Sequence, residues 1–222
     1  MYRFFVAGND GRAKAIRRAL TEDGFDVCSL DSANVIIIPP GEKLEYSGEA
    51  AVFAPYGKNG FVNYLEQPEF KQKNAVPTAE GAISVAIMNT EKTLCNMAVA
   101  VIGNGAIASA LLPRLSALGA NVRVYARRGE GVLPISDIAN SAPELIFNTV
   151  PAQVLGAHVL ESLATKPLII DLASRPGGVD FEAARALGIT ALHELSVPAR
   201  TAPISAGEIV KDTVIKLLRG VK

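Results

Sequence analysis

Met97-Ala98-Val99-Ala100-Val101-Ile102 runs directly into Gly103-Asn104-Gly105-Ala106-Ile107-Ala108, and this stretch decides the fold. The apolar run has the length of a buried strand. The glycine segment has the form Gly-x-Gly-x-x-Ala, and the residues after it follow a helical pattern as far as Leu118, with Gly119 as the stop. Residues 121–125 form the next strand. Strand, glycine turn, helix and strand are the context that a dinucleotide fingerprint requires. Gly103 permits the tight turn, Gly105 lets the backbone approach a pyrophosphate, and Ala108 keeps helix and strand close. The helix N-terminus faces the anion. Asn104, Ala106 and Ile107 complete the backbone cradle. The alternative is a glycine turn that holds no ligand.

The same rhythm extends in both directions. Downstream, residues 144–148 and 168–172 are strands, residues 181–187 a helix, and a short strand lies near Ile189. Upstream, residues 4–7, the neighbours of Val27, residues 35–38 and residues 51–54 are strands, and residues 13–21 a helix. Strands alternating with helices predict parallel sheets covered by helices. The expected fold class is α/β: a Rossmann-type doubly wound parallel sheet domain plus a smaller N-terminal α/β domain. Residues 1–76 form the small domain and the polar stretch 67–73 is a connector. Residues 77–96 carry a connecting helix opened by Pro77 and capped by Thr78, with Glu80 in its first turn. Residues 97–205 form the dinucleotide-binding domain. Residues 206–222 form a C-terminal helix with Ile209, Val210, Val214 and Leu217 on one face, expected to pack back towards the N-terminal domain.

Composition narrows the function classes. A chain of 222 residues that is 49% hydrophobic has room for one large or two small cores. Its 22 basic and 22 acidic residues leave no net charge to hold a nucleic-acid backbone. Two cysteines make no disulfide framework. The opening residues are interrupted too early for a secretory signal, and no apolar run approaches the roughly 20 residues of a membrane span. A cytoplasmic protein is expected. No clustered His, Cys and carboxylate set points to a metal site.

The strand ends carry the candidate chemistry. After residues 121–125 come Ala126-Arg127-Arg128, where an NAD-binding chain would place an acid for the ribose. Arginine offers a planar fork of donors to a 2′-phosphate, so NADP is favoured over NAD, unless Arg127 and Arg128 merely begin a solvated loop. Asn148, Thr149 and Pro151 follow one strand and are placed to meet the nicotinamide half of the cofactor. Asp171, Ser174 and Arg175 follow the next: Arg175 is a candidate for a bidentate grip on a substrate carboxylate, with Asp171 to orient it, or the two only shape a tight turn. His193 is a candidate acid or base, or an exposed loop histidine. His158 is read as structural. Arg200 is a second candidate anion anchor.

Asn74-Ala75-Val76-Pro77-Thr78-Ala79-Glu80-Gly81-Ala82, the glycine loop, Ala126-Arg127, Asn148-Thr149-Val150-Pro151, residues 171–181 from Asp171-Leu172-Ala173-Ser174-Arg175-Pro176-Gly177-Gly178 onward, and Ala202-Pro203-Ile204-Ser205-Ala206-Gly207 follow one another in order. They resemble the family of dipicolinate synthase A subunits from spore-forming bacteria. Gly8-Asn9-Asp10-Gly11-Arg12 is similar to the family's opening Gly-Gly-Asp-x-Arg. The resemblance implies a two-domain fold similar to D-2-hydroxyacid dehydrogenases. It also implies NADP-linked oxidation of dihydrodipicolinate to dipicolinate during sporulation, alongside a second, flavoprotein-like B subunit. A substrate with two carboxylates suits Arg175, Arg200 and Arg12 as anchors, with Thr78, Glu80 and Ser174 as further substrate contacts and Arg175, His193 and Asp171 as the catalytic set. Expected partners are therefore a small dicarboxylate, further copies of the chain and that second subunit, with no nucleic acid and no membrane. The chain departs from the family in a shorter first domain, and in Ala106 and Ala108 where an arginine and a glycine are usual. A dehydrogenase for another small carboxylate and a non-catalytic nucleotide-binding scaffold subunit stay open as alternatives.

Overall fold

The computed structural model describes residues 1–58 and 60–220. The chain divides into two compact units: residues 1–77, joined by those from Pro198 onward, and Thr78–Val197.

The first unit contains β1 (Arg3–Val6), α1 (Gly11–Glu22), β2 (Asp26–Val27), β3 (Val35–Ile37), β4 (Ala51–Ala54), β5 (Val62–Asn63), the first half of α2 (Pro68–Met88) and α7 (Pro203–Gly220). Its strands form one parallel sheet in the order β2-β1-β3-β4-β5. Both faces are covered, which explains why these strands read as unbroken apolar runs. Phe4, Val35 and Ile37 join one buried cluster with Val210 and Val214 of α7, whereas Ile36 and Ile38 join another with Val52 and Ala54. α7 packs on α1 at closest range through Gly207, where a Cβ would lie 2.7 Å from that of Ala15 and 3.0 Å from the Arg12 carbonyl oxygen.

The second unit follows α2 with β6 (Ala98–Ile102), α3 (Ala106–Ala117), β7 (Asn121–Tyr125), β8 (Leu145–Asn148), α4 (Ala157–Ser162), β9 (Leu168–Asp171), α5 (Phe181–Ala186) and β10 (Ala191–His193); α6 (Val197–Thr201) begins at its end. Its parallel sheet has the order β10-β9-β8-β6-β7, the same wiring as the first. Along β6, Val99 and Val101 face the cluster under α2 and α3, and Ala100 and Ile102 face the opposite one.

Three expectations about boundaries need correction. The helix that was to open at Pro77 begins at Pro68, so residues 67–73 are helix rather than connector, and Pro77 and Thr78 lie inside it. A proline is favoured at a helix start because its missing N–H is an orphan there, yet α2 accommodates one internally. Residues 198–205, assigned to the dinucleotide domain, cluster with the first unit. The C-terminal helix starts at Pro203 rather than residue 206; residues 221–222 of that expected helix lie outside the described residues.

Within the first unit the Glu69 carboxylate of α2 is paired with Lys216 of α7 and, at 2.9 Å, with Lys73. Hydrogen bonds from Lys216 and then Lys73 lower its pKa to about 2. A lowered carboxylate pKa means that the pairing supports the fold above the ordinary glutamate range and is lost as the pH falls towards 2. We expect Lys216→Ala to move the Glu69 titration midpoint, followed by NMR, up towards the ordinary glutamate value, and added salt to do so partially because the pair is exposed.

Candidate functional site

In the second unit the strand order reverses between β6 and β8, and the carboxyl ends of the strands are level: Ile102 is in register with Tyr125 and with Asn148, and Asn148 with Asp171. A crevice outside the strand ends at such a point is where doubly wound sheets take ligands. The glycine loop lies there. Gly103 has φ of +110°, and its N–H donates to the Tyr125 carbonyl at 2.8 Å. Thr149 leans over it: its Oγ1 donates to the Ile102 carbonyl at 2.9 Å, as does its N–H at 2.9 Å. A Cβ on Gly105 would meet nothing within 4 Å, so the backbone there is open to an approaching group. Ala106 and Ile107 start α3, whose N-cap, Gly105, supplies no side chain, leaving the first-turn N–H groups for an anion. Ala108 is fully buried against the sheet.

Arg127 and Arg128 are exposed and line an open groove of about 370 Å³ at the end of β7, with Gly129, Val132 and Pro134. Asn104 lies against Gly129, one of the residues of this groove. Its Nδ2 would lie 2.3 Å from a Cβ on Gly129, so the loop after β6 and the loop after β7 touch.

Asp171 and Asn148 are not exposed at all. Asp171 Oδ1 accepts from Asn148 Nδ2 at 2.8 Å and Ala173 N at 3.1 Å, and its Oδ2 accepts from Gly178 N at 2.8 Å. Asn148 also donates to the Val150 carbonyl and accepts from the Val150 N–H, both at 3.1 Å. Both side chains make their hydrogen bonds inside the protein, the geometry of the alternative in which Asp171 shapes a tight turn. They are positioning residues for the loop that carries Ser174 and Arg175, both exposed. Gly177 and Gly178 let that loop fold onto the carboxylate: a Cβ on Gly177 would lie 2.7 Å from Asp171 Oδ2, and one on Gly178 2.1 Å from Asn148 Nδ2. The sequence held this turn-shaping role as an alternative for Asp171, with no sign that Asn148 shares it.

His193 is half-buried, in register with Asp171 at the end of β10. Its Nε2 lies 2.9 Å from the Ala173 carbonyl oxygen, which can only accept, so Nε2 carries the proton of that bond. The ring stacks on Phe181 with centroids 5.5 Å apart. Nδ1 is then the nitrogen left for proton transfer. Pro151 is exposed beside Thr149, and His158 is exposed on α4.

No family model matches the chain. A curated relative, the A subunit of dipicolinate synthase from Bacillus subtilis strain 168, is 36% identical over 182 residues, covering 74% of this chain and 60% of the relative. The crystal structure of the A chain from Bacillus subtilis superposes with a TM-score of 0.83 at 28% identity, covering 99% of this chain and 96% of that one. The corresponding protein from Bacillus halodurans gives 0.85 at 26% identity, covering 98% and 97%. The chain is similar to dipicolinate synthase A subunits in both sequence and fold. It spans about 60% of the length of the curated family member it matches. Apo D-lactate dehydrogenase of Escherichia coli, at a TM-score of 0.65 and 13% identity over 98% of this chain and 96% of that one, shares the fold alone: two Rossmann-like α/β domains with parallel sheets.

The remaining candidates are divided between the two units. Thr78 is buried inside α2 rather than placed at its start. Glu80, placed in a first turn by the sequence, lies mid-helix, where its Oε1 pairs with Arg114 of α3 at 3.0 Å. Arg200 is exposed on α6 in the first unit. Arg12, also in the first unit, is 3% exposed. Burial pulls its pKa down from the ordinary guanidinium value, while Tyr64 and Asp10 oppose that shift. Among the described residues, no group of three or more His, Cys, Asp or Glu is placed to hold a metal ion. Nor is any helix among them long and apolar enough to cross a membrane.

Proposed function

We propose that this chain is an oxidoreductase subunit that binds a nicotinamide dinucleotide, NADP ahead of NAD, and oxidises a small dicarboxylate, dihydrodipicolinate, to dipicolinate. The observation that carries the proposal is the open backbone of Gly105 at the β6/β8 switch point, joined through Asn104 to an arginine-lined groove at the end of β7. The residues fit the cofactor: Gly103, Gly105 and the first turn of α3 suit the pyrophosphate, Thr149 and Pro151 border the nicotinamide end, and Arg127 and Arg128 suit a 2′-phosphate. Bound there, the nicotinamide supplies the acceptor for a hydride. Oxidation also releases one proton, and His193 Nδ1 takes it, because the bond to Ala173 reserves Nε2. Arg175 holds a substrate carboxylate on the loop that Asp171 anchors.

Titration calorimetry tests the cofactor assignment. Wild type should bind NADPH at least about tenfold more tightly than NADH, and Arg127→Ala/Arg128→Ala should abolish the preference while leaving NADH binding in place. Equal binding of both nucleotides to wild type would sink the assignment.

One observation favours a second reading. Burial of Asp171 and Asn148 leaves few acid–base candidates at the described strand ends, His193 among them, which suits a nucleotide-binding scaffold whose chemistry lies on a flavoprotein-like partner. Turnover followed at 340 nm by the chain alone, and then with that partner, separates the two.

A further inference from the structure

The first unit has a switch point of its own. β1 pairs with β2 on one side and β3 on the other, so the strand order reverses at the carboxyl ends of β1 and β3, the position at which doubly wound sheets take ligands. Arg12 occupies the first turn of α1 and is 3% exposed. Among the described residues, no group accepts a hydrogen bond from its Nε or Nη2, and neither atom is in contact with solvent. A guanidinium held dry with two donors unmatched is costly.

Its neighbours are committed elsewhere. The Tyr64 hydroxyl donates to the Ile38 carbonyl at 2.9 Å, at the end of β3. The Asp10 carboxylate caps α1 by accepting from Ala13 N at 2.7 Å. Arg17 donates to the Gly8 carbonyl and to Asn9 Oδ1, fixing the loop between β1 and α1. The two unmatched atoms are also a specific pair. The N–H groups of Nε and Nη2 leave one edge of the guanidinium in parallel, spaced to meet the two oxygens of a carboxylate.

We propose that Arg12 grips one carboxylate of a small organic acid through its Nε–Nη2 edge, at the β1/β3 switch point of the first unit. This rests on the dicarboxylate reading above and narrows it to one carboxylate on one named edge of Arg12. A carboxylate is preferred to a phosphate because the loop already carries negative charge. Asp10 takes an N–H of the α1 first turn that a phosphate would need, and the Glu42 carboxyl lies against Gly8, where a Cβ would come within 2.3 Å of it. One guanidinium between these carboxylates balances a monoanionic group and not a dianion.

The test uses the full chain, with calorimetric titration of pyridine-2,6-dicarboxylate, pyridine-2-carboxylate, malonate and inorganic phosphate into wild type, Arg12→Met and Arg12→Lys. Thermal melts and NADPH binding are the controls. Arg12→Met should weaken carboxylate binding about 100-fold and Arg12→Lys, which lacks the fork, about tenfold. The melting temperature of Arg12→Met should hold or rise, since a dehydrated charge is removed, and its NADPH affinity should be unchanged. A purely structural arginine gives the reverse: a lower melting temperature with carboxylate binding intact, which overturns the proposal. Phosphate binding more tightly than any carboxylate also overturns it. If malonate binds in an Arg12-dependent way while the pyridine acids do not, the Arg12 site stands and the dipicolinate reaction falls. If no carboxylate binds wild type, both fall.

Discussion

Asp171→Ala should destabilise the second unit by about 4 kcal/mol, measured by urea denaturation. The reason is the number of donors that one dry carboxylate serves. Asn148 Nδ2, Ala173 N and Gly178 N all point at it from within 3.1 Å, and Asp171 is completely buried. Alanine leaves all three donors unsatisfied where water does not reach, and opens a cavity between β8, β9 and the loop beyond. Asp171→Asn should cost about half as much. Its carbonyl oxygen still accepts from Asn148 and Ala173, but its NH₂ faces the Gly178 N–H, so donor meets donor. The order wild type, Asn, Ala is the signature of an anchor. An alanine variant within about 1 kcal/mol of wild type would remove Asp171 from that role. Any loss of turnover in these variants should track the loss of stability, because the carboxylate acts through the loop that carries Arg175.

The same cluster shows where sequence stops informing. That Asn148 and Asp171 stand at strand ends was legible, because Leu145–Asn148 and Leu168–Asp171 are apolar runs that finish on a polar residue. Which way those side chains turn was not. A polar strand end bordering a crevice looks identical whether it meets a ligand or three backbone and side-chain donors, and Gly177 and Gly178 decide it by bringing the chain back onto Asp171. Arg12 makes the opposite case. The sequence offers it as an anion anchor just ahead of a helix over 13–21, with no sign that it lies buried in the first turn of α1 beside Tyr64, which comes from far along the chain. The start of α2 was hidden because Glu69, Lys71 and Lys73 look like a solvated connector, whereas Glu69 and Lys73 are one turn apart and paired at 2.9 Å. β5, two residues long, has no alternation to read. The unit that sequence resolved best, β6 through β7, is the one in which local signals agree at every level: a doubly buried strand, a positive-φ glycine, a helix start and a second strand.

Gly103→Ala tests that agreement where it is tightest, and should cost about 3 kcal/mol together with most of the nucleotide affinity. Two separable effects add. The backbone at φ of +110° is one that residues with a Cβ rarely adopt, so strain accounts for about 1–2 kcal/mol of the loss. The new Cβ would also come within 2.2 Å of Thr149 Oγ1, a hydroxyl held in place by the Ile102 carbonyl. A double-mutant cycle divides the two. Thr149→Ala removes the hydroxyl but leaves the glycine's backbone requirement untouched. In that background Gly103→Ala should cost less, by about 1 kcal/mol or more, and the remainder is strain. Nucleotide binding should not recover with it, because the carbonyl and N–H directions of the turn, rather than the clash, set the path of the backbone past Gly105. Recovery of NADPH binding in the double variant would show that the loop holds its ligand through the Thr149 side chain instead.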